Sequence, residues 1–139
     1  QGVMISRHGQ RRAPLTSHTI LRSIFEGMRI IIAVLCAEIA VEEINAKDDT
    51  VKFEFKFEDD ENDPEKSVNA YNKLKDWGMQ ILMGTVTTKP CIAVSTETNA
   101  DKIFQLTPSA SSTDVIGGQP DKDGNVTIQR KDNVFQMCF

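Results

Sequence analysis

Residues Asp63–Met83 constrain the fold most, because a helix with both ends written into the sequence runs directly into a short apolar strand. Asp63 stands where a side chain caps the first-turn N–H groups. Pro64 fits the first helical position, where no N–H is needed, and Glu65 sets negative charge at the positive end of the helix. Val68, Tyr71, Leu74 and Trp77 recur every three residues along one face, and Gly78 is a natural stop. Met79–Met83, MQILM, is short and apolar, the pattern of a strand covered on both faces.

The same alternation extends in both directions. Cys36–Ala46, CAEIAVEEINA, places Ile39, Ala40, Glu43 and Ile44 at helical spacings and predicts an amphipathic helix that stops at Asn45 and Lys47-Asp48-Asp49. Val51–Phe57, VKFEFKF, alternates with period two, which predicts a strand with one wet face near a sheet edge. Beyond the polar loop Gly84–Thr88, Pro90–Ala100 reads as a helix with Pro90 in its first turn, followed by a strand at Ile103–Leu106. Gly117–Asn125 is turn-rich, the tip of a hairpin or an excursion, and Val134–Phe139 supplies a last apolar strand. Strand and helix in alternation, with short connections, give an α/β class: a Rossmann-like parallel sheet flanked by helices.

A chain of 139 residues, 40% hydrophobic and 26% charged, suffices for one domain with a single core. Its net charge of -4 argues against a nucleic-acid partner, since phosphate contacts need clustered Lys and Arg. The charge is uneven: Arg7, Arg11, Arg12 and Arg22 precede the first acid, Glu26, whereas almost all Asp and Glu lie beyond Val41. This divides the chain into a basic and apolar leader, residues 1–36, and an α/β unit, residues 37–139. In Met28–Ala40, Arg29 and Glu38 bracket too few uncharged residues to cross a bilayer. No small-residue cleavage site precedes the acidic helix, and Leu35 before Cys36 is a poor match to a lipoprotein cleavage box. Cys36, Cys91 and Cys138 lack metal-ligand spacing, and their odd number cannot close a disulfide framework, so they read as unpaired, mostly buried thiols.

In an open parallel sheet, ligands bind beyond the carboxyl ends of the strands. Two hydroxyl-rich loops fall there: Thr85, Thr87 and Thr88 after one strand, and Ser109, Ser111, Ser112 and Thr113 after the next. With the start of the Pro90 helix they suit a carboxylate or another small anion. The competing reading is that these residues only cap helices and make turns, their usual role.

The blocks AVEEINA, EFKFEDDENDPEKSVNAYNKL, ILMGTVTTKPCIAV and LTPSASSTDV, followed by DNVFQMCF, together resemble the first lobe of leucine/isoleucine/valine-type binding proteins, which have the type I periplasmic binding fold. The resemblance implies that the hydroxyl residue Thr88, together with Ser109 and Ser111 on either side of Ala110, holds the α-carboxylate and α-ammonium of a small amino acid, with Thr87 adjoining. It implies no enzyme activity and no cofactor. The expected role is that of an extracytoplasmic receptor of an ABC importer, monomeric when complete, closing on its ligand by a hinge and delivering it to membrane permease subunits. Two departures set further expectations. The family's first strand and glycine-containing loop are not recognisable in Gln1–Leu35, and the family continues past the position of Phe139 into a second lobe. The unit is therefore expected to be an incomplete lobe, a fragment weak or inactive alone and prone to self-association through its uncovered sheet.

Rival signals are thinner. Arg7-His8-Gly9 resembles the histidine-phosphatase signature, but the only other histidine, His18, lies on the same segment and the further arginines on later strands are missing. Glu58–Asp63 lacks the spacing of a calcium loop and reads as a solvated turn with a helix cap. A flavodoxin-like signalling or interaction module is the main alternative. Asp59 or Asp60 would be its phosphorylated residue, yet no Lys follows the strand Ile103–Leu106 closely.

Overall fold

The structure, a computed structural model, describes residues 34–47 and 52–137. Helix α1 spans residues 34–47, α2 Pro64–Asp76 and α3 Thr88–Asp101. The strands are β1 (Ile81–Met83), β2 (Phe104–Thr107) and β3 (Val134–Gln136), and a 3-10 turn lies at Thr113–Val115. The strands form one parallel sheet in the order β1-β2-β3, with Leu82 level with Gln105 and Gln105 level with Val134. The expected α/β class, a parallel sheet flanked by helices, is thus found.

Helix α2 begins where its cap predicts. The Asp63 carboxylate accepts from the N–H groups of Glu65 at 2.9 Å and Lys66 at 3.0 Å, and Pro64 opens the first turn. The helix ends with Trp77 as its cap, and Gly78 takes φ +99°, which favours glycine. Ala70, Tyr71 and Leu74 then pack on Met79, Leu82 and Val94, which joins α2, α3 and β1 in one cluster. Each large aliphatic side chain buried this way contributes roughly 1.5–3 kcal/mol. A second cluster, Cys91, Ala110, Val115 and Val134, continues the same layer toward β3. Tyr71 Oη donates to Asp101 at 2.6 Å and so ties α2 to the far end of α3.

Four expectations are corrected. Residues 52–57 are not a strand: among the described residues no segment pairs with them, and alternation alone makes no strand without a partner. Their backbone is held instead by the Asn45 amide, which donates to Phe53 O and accepts from Phe53 N, both at 2.7 Å. β1 is covered on one face only, because Ile81 and Met83 are exposed beside Phe104 and Phe135, whose rings stack at 5.2 Å. Helix α1 forms as predicted, but its sheltered stripe is Val34, Ala37, Val41 and Asn45, while Ile39 and Ile44 are 54% and 48% exposed. Of the cysteines, Cys91 is buried but Cys36 is exposed, and Cys138 lies outside the described residues.

The turn-rich stretch after Gly117 is an excursion and not a hairpin. Gly118 N–H donates to Ile128 O at 2.7 Å and Lys131 N–H to Ile116 O at 2.8 Å, while the tip is an Asp121 turn whose carboxylate accepts from Asp123 and Asn125 N–H. Gly117 is required at its neck: it takes φ +65°, and a Cβ there would lie 2.2 Å from Gln129 O. Asp63→Ala removes the α2 cap and is expected to lower stability by about 1 kcal/mol, read from urea unfolding with an unchanged slope.

Candidate functional site

The carboxyl ends of β1 and β2 emerge side by side, and the two loops that leave them are laced together. Thr107 Oγ donates to Thr85 O at 2.7 Å, and Ser109 Oγ donates to Val86 O at 2.8 Å. Thr85 is buried, its hydroxyl turned to Thr87 O at 3.3 Å. The Thr87 hydroxyl donates to the side-chain oxygen of Asn62 in the acidic turn before α2. That turn is built as expected of a cap loop, with Asp59 and Asp60 each accepting from the N–H two residues on.

Thr87 is the N-cap residue of α3, but with its hydroxyl drawn to Asn62 it makes no cap bond to the helix. Thr88 and Lys89 occupy the first two helical positions, where N–H groups have no intrahelical acceptor, and Pro90 in the third contributes none. The start of α3 therefore faces the loop gap with donors and with the positive end of its dipole.

The predicted site residues divide into two sets. Ser109 and Thr87 use their hydroxyls to hold the loops. Ala110 is buried under the second loop, its N–H donating to Thr107 Oγ at 3.3 Å and its carbonyl accepting from Gln136 at 2.6 Å. By contrast, no hydrogen bond to another described residue involves the hydroxyl of half-buried Thr88 or of exposed Ser111. Ser112, next to Ser111, caps the 3-10 turn through Asp114 N–H at 3.2 Å. The arrangement is a hydrogen-bonded frame that leaves the Thr88 and Ser111 hydroxyls, like that of exposed Thr113, uncommitted beside a helix start, which equips it to hold a small ligand with an anionic group.

Three residues behind this frame carry no signal in sequence periodicity. Gln105 is fully buried on β2. Its oxygen accepts from Thr98 Oγ at 2.6 Å, and its nitrogen donates to Gly84 O at 2.8 Å and to Cys91 Sγ at 3.5 Å. Gln136 on β3 donates to Ala110 O and to Ser112 O, the latter at 2.8 Å. Lys131 is buried, its ammonium donating to Ser95 Oγ at 2.8 Å, Val115 O at 3.1 Å and Asp114 O at 3.3 Å. Burial pushes the Lys131 ammonium below its ordinary range and the Cys91 thiol above its own. A polar residue in the middle of an apolar strand was the only available hint of Gln105.

With the geometry in place, comparison with known proteins decides the family. A profile of the periplasmic binding protein family matches residues 32–133. The chain belongs to that family. Among curated proteins, Leu/Ile/Val-binding protein homolog 3 of Brucella melitensis biotype 1 is 32% identical over 105 residues, 73% of this chain and 25% of that protein. The chain thus spans about a quarter of the length of this periplasmic binding protein. Among solved structures, an extracellular ligand-binding receptor from Rhodopseudomonas palustris is similar at 16% identity and a TM-score of 0.45, over 84% of this chain and 28% of that one. A second, from strain HaA2, gives 16% and 0.44 over 83% and 28%. The assignment rests on the profile and on the curated relative. Over residues 32–133 it displaces the signalling alternative, and periplasmic binding proteins are ligand-binding receptors, not an enzyme family; Arg7-His8-Gly9 lies outside the described residues.

Gln105→Leu leaves the Gly84 carbonyl and the Thr98 hydroxyl buried without this partner. It is expected to cost about 1–3 kcal/mol in urea unfolding, more than Asp63→Ala.

Proposed function

We propose that the chain is the ligand-binding part of a solute receptor for a small amino acid, branched-chain or similar, serving an ABC importer. The observation that carries the reading is the division of labour in the paired loops. Thr85, Thr87, Thr107 and Ser109 hold the frame, whereas the Thr88 and Ser111 hydroxyls are committed to no described residue. In this reading Thr88, with the open N–H groups at the start of α3, donates to the ligand's α-carboxylate. Ser111 and the Ser109 carbonyl accept from its α-ammonium, while Thr87 and Ala110 shape the floor. The leucine-, isoleucine- and valine-binding name of the curated relative supports the ligand class.

The remaining parts of the reading follow from the family. Residues 37–139 form part of the first lobe, and residues 1–36 a leader that ends within the first turn of helix α1. The receptor works outside the cytoplasm as a monomer, closes by a hinge on a second lobe and meets permease subunits in the membrane. The proposed ligand contacts need no cofactor and no bond-making step. Because the second lobe supplies the opposite wall of the pocket, the 139-residue chain alone binds an amino acid weakly or not at all.

Isothermal titration of amino acids into the receptor extended through its second lobe tests this. Loss of one hydrogen bond to a charged group costs about 1.5–3 kcal/mol, so Thr88→Ala and Ser111→Ala are each expected to weaken binding roughly 10- to 150-fold. Unchanged affinity in both variants, or micromolar leucine binding by the 139-residue chain alone, contradicts the proposal.

A further inference from the structure

Lys131 stands just before β3, outside both loops, and is 6% exposed. Its three ammonium hydrogens meet three acceptors: Ser95 Oγ in mid-α3, and the carbonyls of Asp114 and Val115 in the 3-10 turn that follows Ser111. Ser95 Oγ donates in turn to Ile92 O at 3.0 Å and is therefore oriented to accept. No described carboxylate forms an ion pair with Lys131, although a charged amine is costly to bury and a Met of similar length would fill the same space. The bonds run between α3, which carries Thr88 at its start, and the turn that follows Ser111.

We infer that Lys131 is a positioning residue of the ligand site, clamping the turn at Thr113–Val115 to α3 so that Ser111 is held at a fixed distance from Thr88. The inference rests on the amino-acid-receptor reading for its binding consequence, but the clamp itself is a property of the loop. Neutral Lys131 keeps only two N–H donors, so one of the three bonds is lost with the proton. The groups facing the ammonium are Asp114 from the turn and the Cys91 thiol from α3, while Arg130 and Asp132 beside it on the chain are exposed. Desolvation lowers the affinity of Lys131 for its proton, so the clamp loosens below the ordinary lysine value of 10.5. The unfolded chain holds that proton more tightly than the folded one. Raising the pH through this window therefore makes the Lys131 contribution to global stability more favourable while it weakens the clamp. A merely structural lysine would move stability and binding together.

The test uses the full-length receptor, its Lys131→Met variant and, as a second route to the clamp, Ser95→Ala, with leucine as the probe ligand from pH 7 to pH 10. Leucine's own amine titrates equally for all three proteins, so the ratio of their affinities isolates Lys131. At pH 7, Lys131→Met is expected to bind about tenfold more weakly than the natural protein and Ser95→Ala about threefold. The advantage of the natural protein over Lys131→Met should shrink as the pH rises toward 10. Amide exchange at Val115 and Gly117, measured without ligand, should be about tenfold faster in Lys131→Met at pH 7. A constant affinity ratio across pH with unchanged exchange at these amides overturns the clamp. If no protein binds leucine, leucine is not the ligand, while the exchange rates still decide for or against the clamp.

Discussion

On the middle strand of the sheet, Gln105 commits its whole carboxamide to its neighbours: Thr98 and Cys91, both in α3, and the Gly84 carbonyl where β1 gives way to its loop. A buried amide left half-satisfied would cost more than an apolar residue in the same place, so the three partners hold one another in a single arrangement. That arrangement sets α3 on the sheet at one depth and fixes where the β1 loop leaves. The lacing of Thr107 to Thr85 and of Ser109 to Val86 follows, because the two strand ends are already level. The floor of the candidate site thus extends a polar network rooted in the core, which explains how loops of small hydroxyl residues can be rigid.

In the proposed reading, the division of hydroxyls between holding and offering links this architecture to function. Each loop carries several Ser and Thr residues, and packing takes up all but two of those in the proposed ligand contacts. Drawing the Thr87 side chain to Asn62 leaves the start of α3 without the self-made cap that most helices use. An anion placed there gains donors that the fold has left uncommitted. On the sheet's other face, Ile81, Met83, Phe104 and Phe135 are exposed.

Much of this was legible in the sequence, for identifiable reasons. Asp63, Pro64 and Gly78 act within one turn of the chain, so the bounds of α2 followed from local chemistry. The strand at Ile81–Met83, the helix from Thr88 and the strand at Phe104–Thr107 each fell within a few residues of expectation, and the order of the blocks pointed to the right family. Residues 52–57 misled because their alternation describes a strand that needs a neighbour, and none of the described residues supplies one. Ile39 and Ile44 misled because helical spacing names an apolar stripe without saying what covers it. The bonding of Gln105, Gln136 and Lys131 was not legible because their partners lie 7 to 36 positions away in the chain, with acceptors that are mostly backbone carbonyls, which every residue has.

The most direct measurement is a titration of the isotopically labelled receptor, extended through its second lobe, with leucine while the backbone amide resonances are followed. The account predicts saturable shifts concentrated at Thr88, Lys89 and Ser109–Ser112, with Gln105 and Leu82 nearly still. Saturable shifts that bypass Thr88 and Ser111 and gather elsewhere would show that the ligand is held by other residues, and the central claim would be wrong.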